Sequence, residues 1–496
     1  MIYIKLEGHD FRYETEDVIK LFYKDEAVLF LENQPPEDYR GIFLLCRAED
    51  NEGLVLYTAL ESDGGLCYEH TKPMPLLAGL AEVNERERLR RLKKEIKVQL
   101  YLALSMYTGI KMPWGVLTGV RPAKIAREML EGGASKEAVL AGLDECYMVS
   151  RKKSELIYDI AVVEKSILDR ASPEMVSLYI GIPFCTTRCL YCSFTSNPVN
   201  KYKGMVGKYL EALKGEITGT NDIIEKAGLK LQSIYIGGGT PTSIDAPSLR
   251  DLLQYVEHSF DLSHLEEYTL EAGRPDSIDK EKLEIIKGSR VDRISINPQT
   301  MNEETLKLIG RSHTPGDIKQ AFELAREIGF DNINMDIIVG LPGENAAMFE
   351  NTLNEIRVLS PESLTVHTMA IKRASRLNEK KDSYSSLIVE SGAAQMVELA
   401  GEYAGTMGMH PYYLYRQKNM LGNLENVGYC KPGFDSIYNI QIMEEKQTII
   451  ALGAGAVTKV VYPCENRLER AFNVKSVEEY IARMDEMVER KRALMR

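Results

Sequence analysis

The chain has 496 residues, 44% hydrophobic and 27% charged, and its formal net charge is −12. This length exceeds what one hydrophobic core usually organises, and the acidic balance disfavours nucleic acid as a partner. The N-terminus lacks the apolar core of a signal peptide, and no stretch reaches about 18 apolar residues. We therefore expect a cytoplasmic protein of two or three domains with no membrane span.

Residues 1–170 open with β-like pieces, "MIYIKL", "GIFLLCRA" and "GLVLYTAL". Helical patterns follow from about residue 81 to residue 168, with apolar positions recurring every three or four residues. We predict a separate α+β region, to which the sequence assigns no role. It ends near "RASPEM", where Pro173 interrupts the helical pattern.

Residues 171–375 alternate short β-rich runs with amphipathic stretches of helical length. The predicted strands are 177–182, 231–237, 267–273, 292–297, 332–340 and 363–371. Such a series predicts a parallel sheet with right-handed crossovers, and periodicity leaves open whether it is an open doubly wound sheet or a barrel. Both architectures bind ligands at the carboxyl ends of the strands, so the functional site is expected at that edge of the sheet in either fold.

Residues 376–496 form a predicted α+β extension that closes one end of this core. Its elements are a helix at about 386–406, the strand "PYYLYRQ", the loop "GNLENVGYCKPGFDS", the run "TIIALGAGAV" and a terminal helix.

Three of the eight cysteines lie within eight positions, directly after the first strand of the core: Cys185, Cys189 and Cys192. A structural zinc site normally takes four protein ligands, and this loop contains neither a fourth cysteine nor a histidine. Three thiolates can hold three irons of a cubane cluster and leave the fourth iron open to another ligand. The other five are predicted to be ordinary core or surface residues: Cys46, Cys67, Cys146, Cys430 and Cys464.

Polar and glycine-rich segments follow the later strands. "IGGGTPT" lets backbone N–H groups approach a ligand closely. Glu271, Gln299 and Asp336 lie at or near strand ends and can bind ammonium or ribose groups, while Arg311 offers a planar fork for a carboxylate. Taken singly these are ordinary polar residues, but together they line one edge of the core.

The loop "IPFCTTRCLYCSF" resembles that of the radical S-adenosylmethionine (SAM) enzymes. The ordered set "GGGTPT", "EAGRPD", "RISINPQT", "LIGRSHT", "NINMDIIVGLPGE" and "LTVHTMA" is similar to the oxygen-independent coproporphyrinogen III oxidase group, in its coproporphyrinogen dehydrogenase branch. The resemblance implies a partial (β/α)6 TIM-like barrel, with a [4Fe-4S] cluster and SAM as cofactors. It also implies that Cys185, Cys189 and Cys192 bind the cluster. The residues it implies for SAM are Tyr179, Tyr191, Gly238, Gly239, Thr240, Glu271, Gln299, Arg311, Asp336 and Ala370.

The implied reaction is oxidative decarboxylation of two propionates of coproporphyrinogen III to vinyl groups, which gives protoporphyrinogen IX in anaerobic haem biosynthesis. The implied partners are this tetrapyrrole, an electron donor and an electron acceptor. No catalytic residue is predicted beyond the cluster and SAM ligands.

The chain departs from the group at Gly181, where the characterised oxidases carry a histidine. Two alternatives therefore stay open: a haem chaperone-like binding protein, or a radical SAM enzyme acting on another substrate. The chaperone branch carries an HNxxYW-type motif, which the corresponding stretch "KNMLGNLENVGY" lacks.

Overall fold

The computed structural model describes the chain except for residues 37, 51–53, 75–84, 120, 373–374, 380–386, 388–391, 418–419, 466 and 496, and the side chains of residues 86 and 464. It separates into two compact units, Met1–Tyr158 and Asp159–Arg496. The predicted domain boundaries at residues 170 and 375 stay predictions. Within the described chain, no helix is long and apolar enough to cross a membrane.

The first unit is a five-stranded sheet with helices. Its strands are β1 (Ile2–Glu7), β2 (Val28–Leu31), β3 (Ile42–Asp50), β4 (Leu54–Ser62) and β5 (Gly65–Pro73), and its helices are α1 (Arg12–Phe22), α2 (Glu85–Thr108), α3 (Ala123–Glu131) and α4 (Lys136–Tyr147). The strand order is β2-β1-β3-β4-β5. The three β-like pieces correspond to β1, β3 and β4. Strands β2 and β5 were not predicted; the side chains of β5 are mostly exposed, so it lacks an alternating apolar pattern. Helix α5 (Arg151–Leu168) spans the division between the units.

The core of the second unit follows the predicted alternation closely. Its strands are β6 (Met175–Ile182), β7 (Phe184–Cys185), β8 (Asn197–Pro198), β9 (Lys230–Gly238), β10 (Glu267–Gly273), β11 (Arg293–Ile296), β12 (Ile333–Val339) and β13 (Ser363–Thr368). Its helices are α6 (Val199–Lys226), α7 (Ala246–Ser259), α8 (Lys280–Lys287), α9 (Glu303–Leu308), α10 (Pro315–Ile328), α11 (Ala346–Leu359) and α12 (Arg376–Glu379). Each of the six predicted strands is present, shifted by at most a few residues at its ends.

Local signals explain these boundaries. Helix α10 begins at a capping box in which Thr314 and Asp317 bond each other's backbone N–H groups, with Pro315 in the first turn. It ends at Gly329, whose φ of 100° is the left-handed conformation that terminates helices. Asp245 and Asn345 cap α7 and α11 in the same way, through backbone N–H groups in their first turns.

The C-terminal part extends the core sheet on both sides. Its elements are α13 (Ala393–Thr406), β14 (His410–Tyr415), β15 (Asn426–Cys430), α14 (Ile437–Glu444), β16 (Ile449–Leu452), β17 (Val457–Tyr462), β18 (Arg467–Phe472), α15 (Val477–Ala482) and α16 (Met484–Leu494). The predicted helix at 386–406 lies partly outside the described residues.

The large sheet has the order β14-β15-β13-β12-β11-β10-β9-β6-β16-β17-β18. The six strands β6 and β9 to β13 pair in parallel with their sequence neighbours. Among the described strands none joins β6 to β13, so the sheet is open there, as the partial (β/α)6 barrel requires. All six carboxyl ends point to one edge, and that edge holds the candidate site.

Candidate cofactor site

A cavity of about 250 Å³ opens at the carboxyl ends of the parallel strands. The structure brings the predicted site residues together there, with one exception. Its lining includes Cys185, Cys189, Cys192, Tyr191, Gly238, Gly239, Thr240, Glu271, Gln299, Arg311, Asp336 and Ala370. Tyr179 lies in the layer behind: it lines a smaller adjoining pocket with Gly181 and Gly238, and its ring stacks 6.3 Å from that of Tyr235.

The cysteine loop is anchored by a short parallel strand pair. β7, which ends at Cys185, pairs with β8, and Leu190 N donates to Ile309 O at 2.9 Å. Burial raises the pKa of the Cys185 thiol to about 11, against a hydrogen bond of 3.5 Å from Thr240 Oγ1 that favours the thiolate. Burial likewise raises the pKa of Cys192. The Cys185 and Cys192 thiols are therefore protonated at neutral pH, and a positively charged group must displace their protons on binding.

Glycines keep the neighbouring turn against this loop. A Cβ atom on Gly239 would lie 2.4 Å from Phe184 O and 2.7 Å from Ile182 O. Gly239 N and Thr240 N donate to those same carbonyls, at 2.8 Å from Ile182 O and 2.7 Å from Phe184 O respectively. The glycine run thus packs backbone against backbone, which no larger residue permits here.

Arg274 adds a cation that was not among the predicted site residues, although it lies in the motif "EAGRPD". Its Nη1 donates to Thr187 O at 3.1 Å and to Cys189 Sγ at 3.5 Å, and its Nε and Nη2 both bind the carboxylate of Asp276. The guanidinium is held rigidly beside a sulfur atom, where it stabilises thiolate charge.

Two carboxylates on the opposite wall are in different electrostatic states. Burial raises the pKa of Glu271 to about 7, against a hydrogen bond of 2.6 Å from Tyr235 OH. For Asp336, His367 and Asn334 outweigh the effect of burial and hold its pKa below the usual range. Asn334 Nδ2 donates to Asp336 Oδ1 at 2.7 Å, and His367 Nε2 lies 3.8 Å from Asp336 Oδ2. The cavity therefore offers a firm anionic acceptor at Asp336 and a titratable one at Glu271.

Gln299 and Arg311 complete the wall. Gln299 has a φ of 68°, a left-handed conformation unusual for a non-glycine residue. Its N–H donates to Asp336 O at 2.9 Å, so the strained turn ties the ends of β11 and β12 together. Arg311 Nη1 donates to Asn297 O at 2.6 Å and Nη2 to Tyr191 OH at 3.3 Å, while its buried Nε has no protein acceptor in the described structure.

The further polar residues that line the cavity, and that were not among the predicted site residues, include His367, Lys372 and Tyr415. His367 follows from the alternation of β13, because it lies one position after a buried valine and belongs to "LTVHTMA". Tyr415 OH lies 3.3 Å from His367 Nδ1. Tyr415 comes from the C-terminal extension, and no sequence pattern connects it with β13.

The residues present fit a [4Fe-4S] cluster with a zwitterionic nucleoside beside it. The donor set consists of three sulfur atoms on one wall, with an arginine already bonded to one of them. Gly238, Gly239 and Thr240 line the cavity beside the cysteines, and the Arg311 Nε–H is a buried donor without an acceptor among the described groups. Such a donor suits a bound carboxylate.

Known proteins resemble this chain at two levels. Residues 179–356 match the radical SAM superfamily. Over 98% of its length the chain is 39% identical to the oxygen-independent coproporphyrinogen-III oxidase-like protein HemZ of Bacillus subtilis strain 168, and it covers 97% of that protein. It is 34% identical over 57% of its length to the heme chaperone HemW of the same organism, of which it covers 70%.

A solved structure supports the same fold. The coproporphyrinogen III oxidase HemN of Escherichia coli, a radical SAM enzyme, superposes with a TM-score of 0.51 at 21% identity, over 66% of this chain and 73% of that one. At this identity the match concerns the fold alone. The expected α/β radical SAM fold is confirmed.

Proposed function

The chain belongs to the radical SAM superfamily, among the HemZ-like relatives of oxygen-independent coproporphyrinogen III oxidase, and on that premise we propose that it oxidatively decarboxylates propionates of coproporphyrinogen III. Members of the superfamily use a [4Fe-4S] cluster and SAM. When bound, these cofactors supply low-potential electron transfer and a radical that abstracts hydrogen. The residues of the protein recognise the substrate and position it and the cofactors.

We assign the three loop cysteines to the cluster. The SAM assignments rest on charge and hydrogen bonding. We assign Arg311 to the carboxylate of SAM, Glu271 to its amino group and Asp336 to its ribose hydroxyls. The pKa of Glu271 matters in this scheme, because only the ionised carboxylate attracts an ammonium group.

The position of Lys372 is the observation that supports the substrate proposal. Its ammonium lies at the cavity, partly over the Phe194 ring at 5.8 Å, and burial lowers its pKa. Among the described residues no carboxylate forms an ion pair with it. A desolvated cation at the cofactor edge favours an anionic ligand, and a propionate carboxylate supplies that charge.

At Gly181 the chain lacks the imidazole that the resemblance implies, and His367 supplies an imidazole to the cofactor cavity from another strand. Gly181 is packed tightly: a Cβ there would meet Leu452 O at 3.3 Å and the Tyr179 ring at 3.4 Å. His367 brings an imidazole to the cavity from β13 instead, held between Asp336 and Tyr415. We propose that His367 hydrogen-bonds the substrate in place of the missing residue.

Each decarboxylation removes one hydrogen atom, one electron and carbon dioxide from a propionate and leaves a vinyl group. The hydrogen atom goes to the radical, and the electron requires an external acceptor.

The test is an anaerobic assay with reconstituted protein, SAM, reductant, an electron acceptor and coproporphyrinogen III. We expect protoporphyrinogen IX and 5′-deoxyadenosine, and Lys372→Met should raise the KM for coproporphyrinogen by about tenfold or more, as for loss of a desolvated charge partner. Cys189→Ala should abolish turnover, and Lys201→Met, which does not line the cavity, is the matched control. Deoxyadenosine without decarboxylation would show that the substrate is different.

A haem chaperone function is the second candidate, because the HemW similarity spans the core. Against it, the similarity to HemZ extends through both ends of the chain. Stable haem binding without turnover of coproporphyrinogen III in the same preparation would favour the chaperone.

A further inference from the structure

The distant ends of β14 and β15 bring three metal-ligating side chains together. His410 opens β14 and Cys430 closes β15, and the two residues are direct partners in the antiparallel ladder. Asp435 follows in the turn "KPGFDS". Nothing in the proposed radical chemistry uses these residues. They lie at the opposite end of the strand pair from Tyr415 and Asn426, which line the cofactor cavity.

The distances within this cluster approach those of a tetrahedral site. His410 Nε2 lies 2.8 Å from Asp435 Oδ1, Cys430 Sγ lies 3.4 Å from the same oxygen, and Cys430 Sγ lies 3.8 Å from His410 Nε2. Zinc bonds of about 2.3 Å to sulfur and about 2.0 Å to nitrogen and oxygen put tetrahedral ligands about 3.3–3.6 Å apart. A metal ion needs only a half-ångström opening between His410 and Asp435 to enter.

Burial and access suit a bound ion. The Cys430 thiol is completely buried, while His410 and Asp435 are partly exposed. Asp435 also borders a pocket lined by Glu266 and Asp292, so this side of the cluster is open to water.

The surrounding charge is compatible with a divalent cation. Arg293 is the nearby cation, and the buried Glu267 lies close to it as a counter-charge. Burial and the Asp435 carboxylate both raise the pKa of Cys430, so without a metal the thiol keeps its proton.

We propose that His410, Cys430 and Asp435 bind a zinc ion, with water as the fourth ligand, and that this ion ties the end of β14 to the end of β15 and the following turn. A thiolate, an imidazole and a carboxylate form a donor set that zinc accepts readily. Cys430 is a buried core residue, as expected, and the proposal gives its thiol a second role as a zinc ligand. The site holds in place the strand pair whose other end supplies Tyr415 to the cofactor cavity.

The test uses the full chain with Cys185, Cys189 and Cys192 replaced by alanine, because those thiols also attract zinc. Titration with Co²⁺ should give one bound ion per chain, a sulfur-to-cobalt charge-transfer band and the strong visible bands of tetrahedral cobalt. Zn²⁺ should displace the cobalt. Adding Cys430→Ala should remove the charge-transfer band, and His410→Ala or Asp435→Asn should weaken binding by at least about tenfold, since even outer partners of ligands contribute that much. Cys46→Ala, a buried cysteine elsewhere, is the matched control.

A second readout separates binding from folding. Zn²⁺ should raise the apparent Tm of the parent and leave that of the Cys430→Ala variant unchanged. Should Cys430→Ala fail to fold, the partly exposed Asp435→Asn variant serves the same comparison. Absence of stoichiometric cobalt binding, or a charge-transfer band that survives in Cys430→Ala, would overturn the proposal.

Discussion

Single residues at the cofactor cavity owe their properties to neighbours far away in sequence. Glu271 and Asp336 are both strand-borne carboxylates, yet their pKa values move in opposite directions. Desolvation dominates at Glu271, whereas the imidazole of His367 and the amide of Asn334 outweigh it at Asp336. A carboxylate that titrates near neutral pH can bind or release a cationic group under physiological conditions.

The Glu271 pKa makes stability depend on pH. Because its pKa is about 7 in the folded state and 4.5 ordinarily, the folded state favours the protonated form. The parent should therefore lose stability as pH rises from about 4.5 to about 7, by up to the order of 3 kcal/mol. Glu271→Gln resembles the protonated form, so its apparent Tm relative to the parent should increase over that range in cluster-free protein.

The exposed Glu284→Gln is the control for this series, because its side chain is 56% exposed. A Tm difference between Glu271→Gln and the parent that stays constant from about pH 5 to about pH 8 would contradict a raised pKa.

At the scale of secondary-structure elements, the turn after β9 is as important for cluster binding as the cysteine loop. The loop and the turn are joined by backbone hydrogen bonds through Gly239 and Thr240, so the cluster ligands depend on a close approach of two chains. Glycine is required at this contact by distance rather than by a positive φ.

Gly239→Ala should displace the cysteine loop, because the new methyl group would lie within 3 Å of three backbone atoms, Phe184 O, Ile182 O and Phe184 N. We expect loss of most cluster iron after anaerobic reconstitution, measured as iron per chain. Gly207→Ala in α6 is the matched control, since nothing lies within 4 Å of its added Cβ. Full iron loading of Gly239→Ala would contradict this role.

The terminal helix α16 is fastened to α6 by a charge pair that water does not reach. The Lys491 ammonium and the Glu216 carboxylate are both 0% exposed. Glu216 also accepts from Gly453 N at 2.8 Å and Asn473 Nδ2 at 2.8 Å, and it binds Tyr480 OH. This network attaches the C-terminal extension to the radical SAM core.

Lys491→Met should leave a buried, unbalanced carboxylate and cost about 3–5 kcal/mol of stability. The double variant Glu216→Gln, Lys491→Met removes both charges and should recover part of the loss in apparent Tm. The exposed pair partner Arg483→Met is the control. A double variant less stable than Lys491→Met would refute the charge argument.

At the scale of the whole molecule, the cofactor cavity belongs to the second unit. Every described residue that lines the cavity lies in Asp159–Arg496. The molecule is acidic overall, with a formal net charge of −12, but the cavity gathers Arg274, Arg311 and Lys372. Arg274 pairs with Asp276, and Glu271 and Asp336 line the same cavity, so among the described residues Arg311 and Lys372 are the cations left for anionic ligands.

A shortened chain of residues 150–496 keeps α5 whole and removes most of the first unit. We expect it to bind the cluster as the full chain does, measured by iron content and by the visible absorption of the reconstituted protein. If it folds but binds no iron, the first unit contributes to the site, and the two units are not independent in function.

The sequence by itself determined the alternating strand–helix core, the three-cysteine loop and the lining residues from Tyr191 to Ala370. These were accessible because parallel strands bring their carboxyl ends to one edge, so chain order is enough to predict which residues meet there. The sequence also showed that Gly181 stands where the characterised oxidases carry a histidine.

Only the tertiary structure decided which side chains contact each of the site residues. Several contacts depend on side-chain directions that sequence periodicity does not encode. They are the contact of Arg274 with Cys189, of His367 with Asp336 and of Tyr415 with His367, and the position of Tyr179 behind the cavity. The cluster of His410, Cys430 and Asp435 has the same origin. Antiparallel pairing of β14 with β15 places His410 against Cys430, twenty residues apart, because sheet register rather than sequence spacing sets that contact.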